Sequence, residues 1–246
     1  MDCVIIKNLS AGYDNMMAIE DISLVIPTGV RCAIVGPNGA GKTTLLKAML
    51  SLEAKKIGEV TFWGEDYSQV RNKIAYVSQR KMVDWSFPIT VYDAVLMGAY
   101  SLTCTLFSHI SSATHAKVKG ALSIMKLTEL SSQHINNLSG GQQQRVFIAR
   151  ALVQQADLYI LDEPLTGLDK VSEKTIAENF FNSQSKDKTI IAVHHDWSTL
   201  EQYFNWIVFL NKNLFYCGPY DKSIINDLFN KSVYLFNYIA IKYIYT

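Results

Sequence analysis

The run GPNGAGKT, residues 36–43, limits what this chain can fold into more than any other stretch. It matches GxxxxGK[ST], follows a β-rich run, and precedes the helical run TTLLKAMLSL. That is the strand–loop–helix setting in which such a loop cradles phosphate. Its glycines let backbone N–H groups curl around phosphate oxygens without Cβ clashes. Lys42 can reach the β- and γ-phosphates of a nucleotide, and Thr43 can supply a hydroxyl to Mg²⁺. A glycine turn before an ordinary helix is the plain alternative, and the flanking elements argue against it.

A second chemical element is LYILDEP, residues 158–164. An apolar strand ends in Asp162 and Glu163. In a parallel sheet, a carboxylate at a strand's C-terminal edge lies beside the phosphate loop, where ligands bind. Asp162 is then placed to hold Mg²⁺ through water, and Glu163 to act as general base on an attacking water. Alone, the pair would read equally well as exposed acids before a proline turn.

The rest of the chain fits an α/β core. CVIIKNL, AIEDISLVI and VRCAIVG read as strands, with turn chemistry at Pro27-Thr28-Gly29. Gly58 to Phe62 and KIAYVSQ read as two more. From about Val91 to Leu152 the pattern turns helical. Strands return with LYILDE and TIIAVHHD, separated by a helical stretch from Val171 to Phe181, and the last pair is a hairpin, WIVFL and LFYC around Asn211-Lys212-Asn213.

Composition narrows the class. Lys and Arg number 23 against 22 Asp and Glu, a net charge of +1, which argues against a dedicated nucleic-acid binder. Cys3, Cys32, Cys104 and Cys217 show no CxxC spacing and read as buried reduced thiols of a cytosolic protein. Asp2 and Lys7 interrupt the N-terminus without an apolar run behind them, so no signal peptide is expected. No stretch of about 18 apolar residues is present to span a membrane. Yet aromatics make up 11% of the chain, an apolar content that suggests a partner surface.

One motif remains. LSGGQQQR, residues 138–145, puts Gly140 and Gly141 where a helix begins, although glycine is a poor helix former. Ser139 with Gln142 fits a capping box at that helix start. The glycines would leave backbone N–H groups open to an anion at a helix N-terminus.

The succession of phosphate loop, LSGGQ and LYILDEP resembles the ATP-binding cassette (ABC) ATPases, over residues 3 to 220. The resemblance implies an α/β fold: a P-loop NTPase (RecA-like) core with an antiparallel β subdomain and a helical insert. It would form one domain over 1–246, with core and β subdomain at 1–84 and 154–222, the helical subdomain at about 85–153, and a C-terminal tail at 223–246. In that family two cassettes face each other head to tail, and each ATP lies between one copy's phosphate loop and the other's signature motif. The motif is Leu138 to Gln142 here, so Ser139, Gly140, Gly141 and Gln142 would serve the partner's nucleotide.

Other residues take roles by the same resemblance. Gly36, Pro37, Asn38, Gly39, Ala40, Gly41, Lys42, Thr43 and Thr44 would hold the ATP phosphates, and Tyr13 would stack on adenine unless it is simply a core tyrosine. Thr43, Gln79 and Asp162 would surround the Mg²⁺ of MgATP, with Gln79 also sensing the attacking water. Asp169, in TGLD, belongs to a loop crossing the dimer interface. The family's switch histidine directly precedes an aspartate, which selects His195 before Asp196. Glu163, His195, Gln79 and Lys42 form the implied catalytic set.

The run DWSFPITVYDAVLMGAY is similar to cassettes of bacterial importers for manganese, zinc or iron. Trp85, Phe87 and Pro88 would then line a groove, from Gln79 to Pro88, that receives a membrane permease. An external solute-binding protein would complete the assembly without touching this chain, which would sit peripherally on the cytoplasmic face of the inner membrane. His109, His115 and His134 show no ligand spacing. Alternatives are a cassette for haem, a siderophore or cobalamin, a soluble ABC ATPase of DNA repair or translation, and a module that binds nucleotide without turnover. SVYLFNYIAIKYIYT, residues 232–246, departs from the family pattern, and core helix, apolar strand and membrane contact stay open there.

Overall fold

In the strands that end at the functional motifs, alternate residues feed two different cores. Strand β3 (Arg31–Val35) sends Cys32 and Ile34 to one side and Ala33 and Val35 to the other. Strand β6 (Leu158–Leu161) divides Leu158 and Ile160 from Tyr159 and Leu161, and β7 (Thr189–Val193) divides Ile191 and Val193 from Ile190 and Ala192. Burial on both faces explains why these strands read as continuous apolar runs rather than alternating ones. The computed structural model describes residues 1–13, 16–52, 55–79, 87–100, 110–181 and 187–228. Trp85, Cys104, His109 and residues 232–246 lie outside these.

With β5 (Ile74–Val77), β8 (Trp206–Asn211) and β9 (Asn213–Pro219), these strands form a sheet in the order β5-β6-β7-β3-β8-β9. Pairings along β5 to β8 are parallel, and β9 closes the edge antiparallel to β8. The C-terminal ends of β3, β5, β6 and β7 therefore open on one edge of the sheet, the usual place for a ligand in such folds.

One face of the sheet is covered by α1 (Lys42–Met49) and by a three-stranded antiparallel sheet, β2-β1-β4, built from β1 (Asp2–Tyr13), β2 (Met16–Pro27) and β4 (Lys55–Phe62). A one-turn helix, α2 (Tyr67–Val70), follows β4. On the other face lie α3 (Val91–Leu96), α4 (Ser112–Ile124), α5 (Gly140–Val153) and α6 (Lys170–Ile176). The first three fall between β5 and β6 in sequence and share one core with the sheet, including Val95, Leu122 and Ile148. Each of these four helices starts on a side chain that accepts a backbone N–H: Thr90, Ser111, Ser139 and Asp169. Such caps contribute about 1 kcal/mol apiece. Truncating a fully buried leucine such as Leu161 would cost about 2–5 kcal/mol.

The helical stretch expected from Val171 to Phe181 differs in detail. It is α-helical to Ile176 and then widens into a π turn over Ala177–Phe181. The wider turn brings two adjacent aromatics, Phe180 and Phe181, into the core edge to face, 5.6 Å apart. At the far end, 222–228 is helical, with Ile225 and Leu228 joining the same core.

Candidate functional site

The loop after β3 is shaped by its neighbours. Gly36 has φ 152°, and a Cβ there would stand 1.9 Å from the Leu210 carbonyl oxygen of β8. Gly41 has φ 89°, and its Cβ would meet Ile19 Cγ2 at 2.3 Å and the Ala18 carbonyl oxygen at 2.6 Å. Both positions therefore require glycine, in conformation and in space. Between them the chain arches from the sheet into the first turn of α1, whose unsatisfied N–H groups suit an anion. Lys42 Nζ donates to the carbonyls of Gly36 (2.9 Å) and Pro37 (2.7 Å), rimming the loop with a cation. Burial lowers the pKa of this ammonium, and Glu163 and Asp162 pull it back up.

Three side chains from three elements meet beside Lys42. Thr43, in α1, donates its hydroxyl to Asp162 Oδ1 at 3.1 Å, and Gln79, just after β5, donates Nε2 to Thr43 Oγ1 at 3.4 Å. Asp162 is fully buried, and its Oδ2 has no hydrogen-bond partner. Desolvation, with the charge of Glu163 beside it, pushes this carboxyl up to about 6, against the Thr43 hydrogen bond that favours the ionised form. A buried, incompletely satisfied carboxylate oxygen beside a hydroxyl and an amide is an oxygen-rich set that fits a hard cation such as Mg²⁺.

Glu163 follows in the left-handed region, φ 54°, unusual for a residue with a Cβ. Its Oε1 lies 2.8 Å from Nε2 of His195, at the end of the adjacent strand β7. The two side chains face the loop across a cleft of about 300 Å³, lined by Ala18, Asn38, Gly39, Ala40, Gly41, Lys42, Thr43, Thr44, Glu163 and His195. The neighbouring His194 points away: it is buried, its ring tilted against Phe204. Just past the end of β7 the two histidines thus face apart, and the one before Asp196 is the one at the cleft.

The signature residues lie apart from this cleft; Ser139 through Gln142 are not among its lining. The capping box is complete: Gln142 N donates to Ser139 Oγ at 3.3 Å, and Ser139 N to Gln142 Oε1 at 2.8 Å. The second glycine has a reason of its own. Gly141 is buried, and a Cβ there would fall 2.2 Å from Ser172 Oγ and 2.5 Å from Asp169 Oδ2. Close packing of the α5 and α6 N-termini therefore requires glycine at 141 in its own right. Asp169 caps α6 by accepting from Ser172 N at 2.9 Å, which holds its carboxyl below the usual range. Tyr13 is 39% exposed, also outside the cleft lining, with Lys47 Nζ 5.9 Å from its ring centroid. Ala18 and Lys47 carried no sequence signal, because only tertiary packing brings Ala18 of β2 to the cleft and Lys47 to the Tyr13 ring.

The family model for the ABC transporter matches residues 19–166. The chain belongs to the ABC transporter family. As a member, this ABC chain is an ATPase that binds ATP and works with a membrane permease. It is 42% identical over 214 residues to the manganese transport system ATP-binding protein MntB of Bacillus subtilis, covering 87% of this chain and 85% of that one. It is likewise 42% identical over 206 residues to the zinc transport system ATP-binding protein TroB of Treponema pallidum, covering 84% and 77%. Among solved structures, an ABC transporter cassette in its ADP conformation superposes with a TM-score of 0.78 at 23% identity, over 96% of this chain and 98% of that one, a likeness of fold. The ATP-binding subunit of another ABC transporter gives 0.75 at 25% identity, over 89% and 90%. Among the described residues of the ABC chain, no helix is long and apolar enough to cross a membrane.

Proposed function

We propose that this chain is the ATP-hydrolysing subunit of an importer that brings a divalent metal ion, manganese, zinc or iron, into the cell through a separate permease. The manganese and zinc systems of its relatives support the cargo class. The observation that carries the catalytic part is convergence: Lys42 and Thr43 at the start of α1 line one cleft with Glu163 and His195 from beyond β6 and β7, and Thr43 is hydrogen-bonded to Asp162 and to Gln79 beside it.

Each residue then has a task. Loop N–H groups and Lys42 bind the β- and γ-phosphates of ATP. Thr43, Gln79 and Asp162 would hold Mg²⁺, which supplies charge neutralisation at the phosphates. Glu163 takes a proton from the attacking water, and His195, bonded to it, orders that carboxylate and contacts the γ-phosphate. Tyr13 offers a face to adenine. Ser139, Gly140, Gly141 and Gln142 close over the nucleotide of a second copy arranged head to tail, and Asp169 lies at that dimer interface.

Residues 85–153 act as a helical arm on the core formed by 1–84 and 154–222, with the tail from 223 onward. The permease docks at the groove from Gln79 to Pro88. Phe87, at the end of that stretch, is 61% exposed, an apolar side chain of the kind a partner covers. The chain sits peripherally on the cytoplasmic face of the membrane, the solute-binding protein stays outside without contact, and no nucleic acid takes part. The test is transport: with its permease in vesicles, the wild-type chain plus MgATP should drive uptake of radioactive manganese or zinc, and Glu163→Gln should not. ATP-dependent uptake of haem or cobalamin, but of neither metal, would replace the cargo.

A further inference from the structure

His194 closes a small ring of hydrogen bonds behind the site. Its backbone N–H donates to the Ile34 carbonyl at 3.1 Å, tying it to β3. Its Nε2 lies 2.7 Å from Thr199 Oγ1, and Thr199 Oγ1 donates to the Asp196 carbonyl at 3.1 Å. A hydroxyl has one hydrogen to give, so Nε2–H is the donor to Thr199. Asp196 in turn caps the turn Trp197–Thr199, its Oδ1 accepting from Ser198 N (2.9 Å) and Ser198 Oγ (2.6 Å). The ring therefore runs from His194 through Thr199 and back to Asp196, and His195 is the residue it encloses.

We infer that Thr199, through His194, is a positioning residue that fixes the backbone from which His195 reaches Glu163. The inference rests on the reading of His195 as a group acting at the nucleotide. Of two adjacent histidines, one points into the core, held by two hydrogen bonds and packed on the Phe204 ring, while the other projects 2.8 Å from the acid. Burial drives the His194 imidazole down to about 4, so near neutrality it is uncharged and its single ring hydrogen sits on Nε2, facing Thr199. A small misplacement of a reacting group can cost about 10²-fold in rate, so anchoring the turn has a catalytic consequence although neither His194 nor Thr199 lines the cleft.

The test is MgATP hydrolysis by the full chain, wild type against Thr199→Val, Thr199→Ser and His195→Ala. Thr199→Val should lower kcat about tenfold and leave KM within about twofold, and Thr199→Ser should restore the rate. In the His195→Ala background, Thr199→Val should lower kcat no further, a non-additivity that general destabilisation would not produce. Wild-type kcat in Thr199→Val, with His195→Ala impaired but measurable, overturns the inference; so does an undiminished effect of Thr199→Val in the His195→Ala background. Wild-type activity in His195→Ala overturns instead the role of His195. Should Thr199→Val not fold, Thr199→Ala carries the same expectations.

Discussion

His195 Nε2 stands 2.8 Å from Glu163 Oε1 and so joins the ends of neighbouring strands β7 and β6 directly opposite the phosphate loop. Neither residue is deeply buried, so both stay reachable by water and nucleotide. Replacing Glu163 by Gln keeps the size and the left-handed turn but removes the base. A positioned general base contributes about 10²–10⁴ in rate, so Glu163→Gln should lose at least about a hundredfold in turnover while binding ATP with unchanged affinity. Phosphate release and equilibrium binding of a fluorescent ATP analogue check the two halves.

Asp162 gives a prediction in pH. Its carboxyl is fully buried and titrates near 6 rather than near 3.8. Between those values the folded chain holds a proton that the unfolded chain has released, so stability from this group falls as pH rises, by about 3 kcal/mol at neutrality. Asp162→Asn should therefore raise the thermal midpoint of the nucleotide-free, Mg²⁺-free chain at pH 7.5. The gain should shrink steadily toward pH 4.5, and Mg²⁺-dependent hydrolysis should vanish. Thermal melts of both proteins across that range measure it.

Gly141 makes a packing prediction. An added methyl would meet Ser172 Oγ at 2.2 Å and Ser172 Cβ at 2.7 Å, so Gly141→Ala should destabilise by about 1–3 kcal/mol, the usual cost of overpacking. Ser172→Gly removes both atoms and should recover part of that loss in the double variant. Denaturant midpoints of the four proteins in the cycle would show it.

Phe87 lies exposed beside Pro88 at the expected permease groove. Phe87→Glu should leave the thermal midpoint within about 1 °C, since an exposed side chain contributes little to folding. It should also abolish co-purification with the permease, because a buried charge at an apolar interface is costly.

Much of this site was legible because its chemistry is local in sequence. The phosphate loop, the strand ending in Asp162-Glu163 and the capping box follow from short motifs, and the choice of His195 over His194 from the resemblance, which places the switch histidine directly before an aspartate. What was not legible depends on distant backbone. Gly36 is needed because Leu210 of β8 approaches it, and Gly41 because β2 does. Gly141 is small for the sake of α6, not only for an anion. The π turn over Ala177–Phe181 buries two adjacent aromatics, which a helical period of 3.6 does not announce.

The claim that governs the rest is that the cleft of one copy is completed by the Ser139–Gln142 helix start of another. Light scattering of the full-length Glu163→Gln chain, with and without MgATP, tests it most directly. The account predicts one monomer mass without nucleotide and twice that mass with it, reverting when Ser139 is replaced by a bulky residue such as Phe. A mass that stays monomeric at saturating MgATP would contradict it.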